Sequence, residues 1–326
     1  MTRPVDPAVE QAHTDVLDLF LSNPAADPIG LEAVCRAARD RLALLPALDP
    51  HDPQTWSSYA LITRDVQTLL GYLREAEVPS SEPEHFRSLL IRVLLYLYEA
   101  DRAAPGALLA EIVHGDWEAR LGESHTDTLR AAERRAACLH AGGDSERSRP
   151  LFERILVLRT RMLGSTDPST LLASCNLGAC LNQLQDYEAA FELNRVTARL
   201  CEQRLGKDDG TTALATGNLA GSLFGLGEYR KALALYRDIH RRHLRASGAD
   251  SLAALRAEGN VAIALHKLGD HEAARAVNAD LLPKFERAVG KDHSATEQTR
   301  SRLEMNLRAL GRKEEADEVH GGIPDF

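Results

Sequence analysis

The chain has 326 residues, with 39 Lys and Arg against 48 Asp and Glu and a formal charge of −9. That negative field argues against a general polyphosphate binder unless one face is locally basic, and 5% aromatic content argues against a β-rich or prion-like chain. Apolar runs such as Val93 to Tyr98 fall far short of the roughly 18–20 residues that span a bilayer.

Residues 1–79 are punctuated by Pro24, Pro28, Pro46, Pro50 and Pro53, which leaves helical candidates near 7–21, 29–45 and 54–77. The last carries a mostly apolar face of Trp56, Tyr59, Val66, Leu69, Leu70 and Leu73. The opening Met-Thr-Arg-Pro-Val-Asp-Pro lacks the apolar core of a signal peptide. Five cysteines, Cys35, Cys138, Cys175, Cys180 and Cys201, form no CxxC pair and read as buried thiols of a reducing compartment. The expectation is a soluble, cytoplasmic, helical protein.

From residue 80 a repeat sets in with a period of 42. Gly122, Gly164, Gly206, Gly248 and Gly290 keep it, and so do Gly143, Gln185, Gly227, Gly269 and Gly311. Leu184, Leu226, Leu268 and Leu310 form another series, as do Ala190, Ala232, Ala274 and Ala316, and the small residues Ala136, Gly178, Ala220 and Ala262. Segments between the glycines, such as Pro168–Leu184 and Tyr187–Leu205, have apolar residues at helical spacing. A glycine after each segment suits the left-handed conformation that ends a helix, and Asp167-Pro168 supplies an N-cap followed by a first-turn proline. Each unit is therefore a helical hairpin. The small residues let two helices approach, and neighbouring hairpins must stack to share a core.

The run Asn218-Leu219-Ala220, Leu226-Gly227, Tyr229 and Ala232 resembles the tetratricopeptide repeat, whose usual unit is about 34 residues. The longer unit here, with Leu163-Gly164 and Leu205-Gly206, is similar to the kinesin light chain variety. The resemblance implies an all-α fold, a right-handed α-solenoid of stacked helical hairpins. Its parts are an N-terminal helical cap (1–79), a degenerate repeat (80–121, with Ser80 for the glycine and Leu94 for the small residue), the array (122–316) and a tail (317–326). His51-Asp52-Pro53-Gln54-Thr55-Trp56-Ser57-Ser58-Tyr59 is similar to the lead-in of arrays in actinobacterial signalling NTPases and in companions of peptide-modifying gene cassettes. A dimerisation or regulatory element is the alternative role for 1–79.

In the resembled family the first helix of each hairpin lines a concave groove, and the position two residues before the small residue faces it. That position reads Arg92, Arg134, Asn176, Asn218, Asn260 and Arg302. Asn inside a helix costs up to ~0.7 kcal/mol relative to Ala, so three at one phase call for a reason. An amide can donate to a carbonyl and accept from an N–H, which suits an extended peptide backbone. Arginine adds a fork for carboxylates or phosphates. The resemblance implies further groove positions at Arg130, Leu172, Leu214, Arg256, Gln183 and Lys267. Two readings stay open. The row binds an extended, acidic peptide, or the asparagines bond their counterparts in the next hairpin and the arginines are solvated.

No motif supplies catalysis or a metal site. Gly206-Lys207-Asp208 and Gly290-Lys291-Asp292 lack the spacing and the Ser/Thr of a phosphate loop, and there is no HExxH, Gly-x-Ser-x-Gly or Rossmann fingerprint. His240 and His243 flank Arg241 and Arg242, which would repel a cation. The leading expectation is a non-catalytic peptide-binding scaffold or adaptor with no cofactor, no metal, and no nucleic-acid or membrane partner. The alternatives are a structural or oligomerising subunit with an inert groove, possible as a homo-oligomer, or an accessory or sensor protein of a peptide-modifying or signalling system. The segment His320 to Phe326 is expected to be a loose tail or a short docking segment.

Overall fold

The computed structural model describes residues 4–22 and 28–320, and among these it contains fifteen α-helices, one short 3-10 turn and no strand. Three helices come first: α1 (Pro7–Leu21), α2 (Pro28–Ala43) and α3 (Trp56–Glu75), the last entered through the turn Pro53–Thr55. Hairpins follow: α4–α5 (Glu84–Glu99, Ala103–Leu121), α6–α7 (Thr126–Ala141, Ser145–Leu163) and α8–α9 (Pro168–Gln183, Tyr187–Leu205). The series closes with α10–α11 (Gly210–Gly225, Tyr229–Ser247), α12–α13 (Leu252–Lys267, His271–Ala288) and α14–α15 (Ser294–Ala309, Lys313–His320). The fold is an all-α helical-repeat solenoid. Helix α15 takes in 317–320 of the expected tail, and residues 321–326 lie outside the described residues. No helix among the described residues is long and apolar enough to cross a membrane.

The two glycine series do different jobs. At the end of each first helix Gly143, Gln185, Gly227, Gly269 and Gly311 have φ of 86, 62, 82, 85 and 76°. The next residue's N–H then returns to a carbonyl five residues earlier, as in Asp144 to Leu139 (2.9 Å), Asp186 to Leu181 (3.0 Å) and Glu228 to Leu223 (2.8 Å). This is the left-handed cap expected from the sequence. Asp101, at φ 60°, takes the same role between α4 and α5.

After the second helices the expectation of a left-handed end fails. Gly122, Gly206 and Gly248 sit at φ/ψ of 87/158°, 92/165° and 81/170°. That extended region with positive φ is essentially closed to any residue with a Cβ. An Asn, Asp or Gln can visit the left-handed region at modest cost, so one series admits Gln185 and Asp101, while the other is glycine from Gly122 to Gly290. Three residues on, the chain meets an N-cap. His125, Asp167, Asp209, Ser251 and His293 each accept an N–H of the following helix, a further series at the same period.

The chain divides into two compact units, Met1–Leu151 and Phe152–Phe326. In the first, α1, α2 and α3 share one apolar core with α4 and α5, in which Tyr59, Leu69, Phe86, Leu90 and Trp117 are fully buried. Tyr59 stacks on Tyr96 with ring centroids 5.3 Å apart. Ser80, where later units have glycine, is buried and binds the Asp116 carboxylate through its hydroxyl (2.6 Å) and N–H (3.2 Å), while Trp117 Nε1 donates to its Oγ (3.1 Å).

In the second unit the phased alanines Ala190, Ala232, Ala274 and Ala316 are fully buried, as close helix approach requires. First helices pack on one another as well as on their partners, α8 on α10 and α12 on α14. Gly178 is dictated by contact: a Cβ there would lie 1.8 Å from Asn194 Oδ1 of α9.

Candidate functional site

The row of polar residues on the first helices is built by the hairpin period, which returns the same helix face every 42 residues. In the first unit the arginines are drawn into local partnerships. Arg92 on α4 is half-buried with Nε out of contact with solvent and unbonded, and its guanidinium lies beside the Tyr59 phenol, which donates to the Leu48 carbonyl (2.7 Å). Burial raises the Tyr59 hydroxyl above its usual value, and Arg92 works against that. Arg134 on α6 is half-buried, 3.8 Å from the Glu133 carboxylate. Arg130 is exposed and pairs with Asp127 at 3.3 Å, and Arg87 Nε holds the other oxygen of the same carboxylate at 2.8 Å.

In the second unit Asn176 is half-buried on α8, and Asn218 follows it on α10. Asn218 Nδ2 donates to the Cys175 carbonyl of α8 (2.7 Å), and Asn182 Nδ2 donates back to the Asn218 carbonyl (2.9 Å). Ser222 Oγ lies 2.8 Å from Asn182 Oδ1 and accepts from the buried Asn194 Nδ2 (3.0 Å). These side chains form a polar seam between successive first helices. At Asn218, then, the amide donor serves the stack through a backbone carbonyl of the preceding hairpin. Gln183 and Lys267 are exposed at the ends of α8 and α12, Leu214 is exposed on α10 and Leu172 is half-buried on α8.

Three of the expected residues converge. Arg256 and Asn260 of α12 and Arg302 of α14 line one hollow of about 310 Å³ together with Gln298, Thr299 and the first residues of α14. Arg302 packs its Nη1 3.4 Å from where a Cβ on Gly259 would stand, so a larger residue there would push the guanidinium away. Its Nη2 lies 3.3 Å from Gln298 Oε1, and among the described residues no carboxylate pairs with it. Burial pulls Arg302 below its ordinary pKa, and the neighbouring Tyr236 hydroxyl is itself pushed up to about 12 by burial. His293 caps α14 by accepting the Ala295 N–H at 3.2 Å, and its carbonyl takes the Thr296 N–H at 2.9 Å. A partly desolvated guanidinium, a second arginine and an amide together favour an anion.

Gln298, Ser294 and Thr299 were not picked out from the sequence. Gln298 stands 42 residues after Arg256, so carrying the series Arg130, Leu172, Leu214, Arg256 one unit further finds it. Ser294 and Thr299 carry no repeat signal. Among the described residues no three His, Cys, Asp or Glu side chains gather as for a metal ion.

Residues 127–203 and 211–286 match a family model described as tetratricopeptide repeat. Three solved structures are similar in fold. Aspartyl phosphate phosphatase F from Bacillus subtilis is 11% identical, with 98% of this chain and 94% of that chain covered and a TM-score of 0.51. BtubC from P. vanneervenii is 16% identical, with 74% and 93% covered and a TM-score of 0.50. The Podosopora anserina putative kinesin light chain TPR-like repeats are 17% identical, with 60% and 93% covered and a TM-score of 0.49. No curated protein matches the sequence.

Proposed function

From the premise that residues 127–203 and 211–286 are tetratricopeptide repeats, a fold that generally mediates protein–protein interaction, we propose that the chain holds an extended acidic peptide along the first helices of its second unit. One carboxylate of that peptide sits in the α12–α14 hollow. The observation that carries this reading is the approach of Arg256, Asn260 and Arg302 around about 310 Å³ of open space, with Arg302 lacking a carboxylate partner among the described residues. A guanidinium held partly out of water gains more from an incoming carboxylate than a solvated one does.

Asn176 and Asn260 serve the peptide backbone in this reading, while Asn218 contributes its Oδ1 because its N–H groups hold the neighbouring hairpin. Gln183 and Lys267 take outer positions in the second unit, and Arg92, Arg130 and Arg134 offer guanidinium groups within the first. The role is binding without turnover, in keeping with a family that is generally non-catalytic, and residues 1–79 act as the cap of the stack.

A peptide array of immobilised acidic, neutral and basic sequences, probed with the full chain and with an Arg256→Gln, Asn260→Ala double variant, tests the reading. Retention on acidic spots that weakens about tenfold or more in the variant supports it. Equal retention by both proteins, or none by the wild type, overturns it.

A further inference from the structure

Position 187 carries Tyr in α9, and the same position one period later carries Tyr229 in α11. Four residues on stand Phe191 and Leu233. Tyr187 fills the space between α9 and α10 so closely that a Cβ on Gly225 would lie 2.2 Å from its ring. The equivalent positions of α5 are Ala103 and Ala107. Both bulky side chains are missing there, and a hollow of about 320 Å³ stands open between α5 and α6.

Its walls are the methyl groups of Ala103, Ala104 and Ala107 with Leu139 and the Cys138 thiol, closed on one side by Gly142. The thiol is buried, and burial pushes it up to about 11, so the wall it forms is uncharged at neutral pH. At the mouth Arg135 pairs with Glu111 (2.6 Å) and Arg147 with Asp144 (3.1 Å). An apolar slot with a guanidinium at its rim suits an aromatic ring, which gains burial inside and a cation–π contact at the edge.

The surroundings extend beyond one ring. Leu108, on the wall of the hollow, is 65% exposed, and Ile112 one turn further along α5 is 48% exposed. Ile112 borders a second hollow of about 650 Å³ with Leu70, Leu73 and Val78 on its walls, and Glu111 belongs to both. A free small molecule would leave this apolar strip wet, whereas a polypeptide segment lying along α5 would cover it.

We propose that the α5–α6 hollow is a socket for a tyrosine side chain of a partner protein, presented by a segment that also covers Leu108. It lies apart from the α12–α14 hollow and stands or falls independently of the peptide reading given above.

The test uses the full chain and two probes, N-acetyl-tyrosinamide and a short synthetic peptide with one tyrosine and flanking leucines, followed by NMR shift perturbation. The peptide should bind about tenfold tighter, about 1.4 kcal/mol, since its leucines cover apolar surface on α5 that the amide leaves in water. Ala103→Tyr introduces the residue that α9 and α11 carry at this position, so it should abolish both interactions and raise the thermal midpoint. Ala107→Phe serves the same purpose should the first variant not fold. Ile112→Asp, one turn beyond the socket and outside its walls, should reduce the peptide's advantage and leave N-acetyl-tyrosinamide binding unchanged. Absence of binding by the wild type, binding that survives in the filled variants, or a peptide no tighter than the amide would each overturn the proposal.

Discussion

The contrast between the two glycine series is measurable in isolation. At Gly206 and at Gly227 a Cβ would meet nothing within 4 Å, so alanine at either adds no collision and reports only backbone conformation. Gly227, at φ 82° in the cap after α10, charges alanine about 1–2 kcal/mol for the left-handed conformation. Some 0.4–1 kcal/mol returns through the stiffer unfolded chain, which leaves a net loss of about 1 kcal/mol for Gly227→Ala. Gly206, at φ 92° and ψ 165°, lies where a Cβ is scarcely tolerated, and strain there reaches up to about 3 kcal/mol. Gly206→Ala should therefore cost about 2–3 kcal/mol. The converse change, Gln185→Gly at φ 62°, should stabilise by about 0.5–1 kcal/mol. Urea unfolding followed by far-UV circular dichroism, with midpoints compared at a common slope, ranks the three. Equal losses at Gly206 and Gly227, or a loss at Gln185→Gly, would refute the assignment of the two series to two backbone regions.

Further expectations rest on single contacts. Gly178→Ala drives a methyl into Asn194 and should cost about 1–3 kcal/mol. Adding Asn194→Ala should recover most of that, and an unaltered penalty in the double variant would contradict the contact. Burial holds the imidazoles of His114 and His140 below their ordinary pKa. The unfolded chain then binds protons that the fold rejects, so stability present above about pH 6.5 is lost as pH falls through that value, by up to about 1.4 kcal/mol per histidine per pH unit. His140→Gln should flatten the fall in thermal midpoint between neutral and mildly acidic pH, and an unchanged slope would count against it. Tyr59→Phe removes the bond to the Leu48 carbonyl and should destabilise by about 1 kcal/mol, read by the same urea titration.

The period was legible because it is carried by residues whose identity the backbone or close packing dictates. Glycine at Gly122, Gly206 and Gly248 and alanine at Ala190, Ala232 and Ala274 can scarcely be replaced, so the hairpins from α8 to α13 keep both. Side-chain direction was less legible. The amide of Asn218 reaches either a ligand or the Cys175 carbonyl from one helix position, and spacing does not distinguish the two. Arg92 occupies the same phase, yet its surroundings are set by Tyr59 of α3, which follows no repeat. Gln298 was readable by extending a series already in hand. The socket beside α5 is written as Ala103 and Ala107, but an alanine in sequence does not say whether a neighbour has moved in to fill its space.

The central claim is capture of an acidic peptide, and fluorescence anisotropy tests it most directly. An acidic peptide selected on the full chain is labelled and titrated with wild type and with Arg302→Gln at low and at near-physiological salt, each protein being checked for an unchanged thermal midpoint. Binding that weakens with salt and falls at least about tenfold on loss of the guanidinium is the predicted result, about 1.4 kcal/mol or more. Affinity indifferent to both salt and Arg302 would contradict the account.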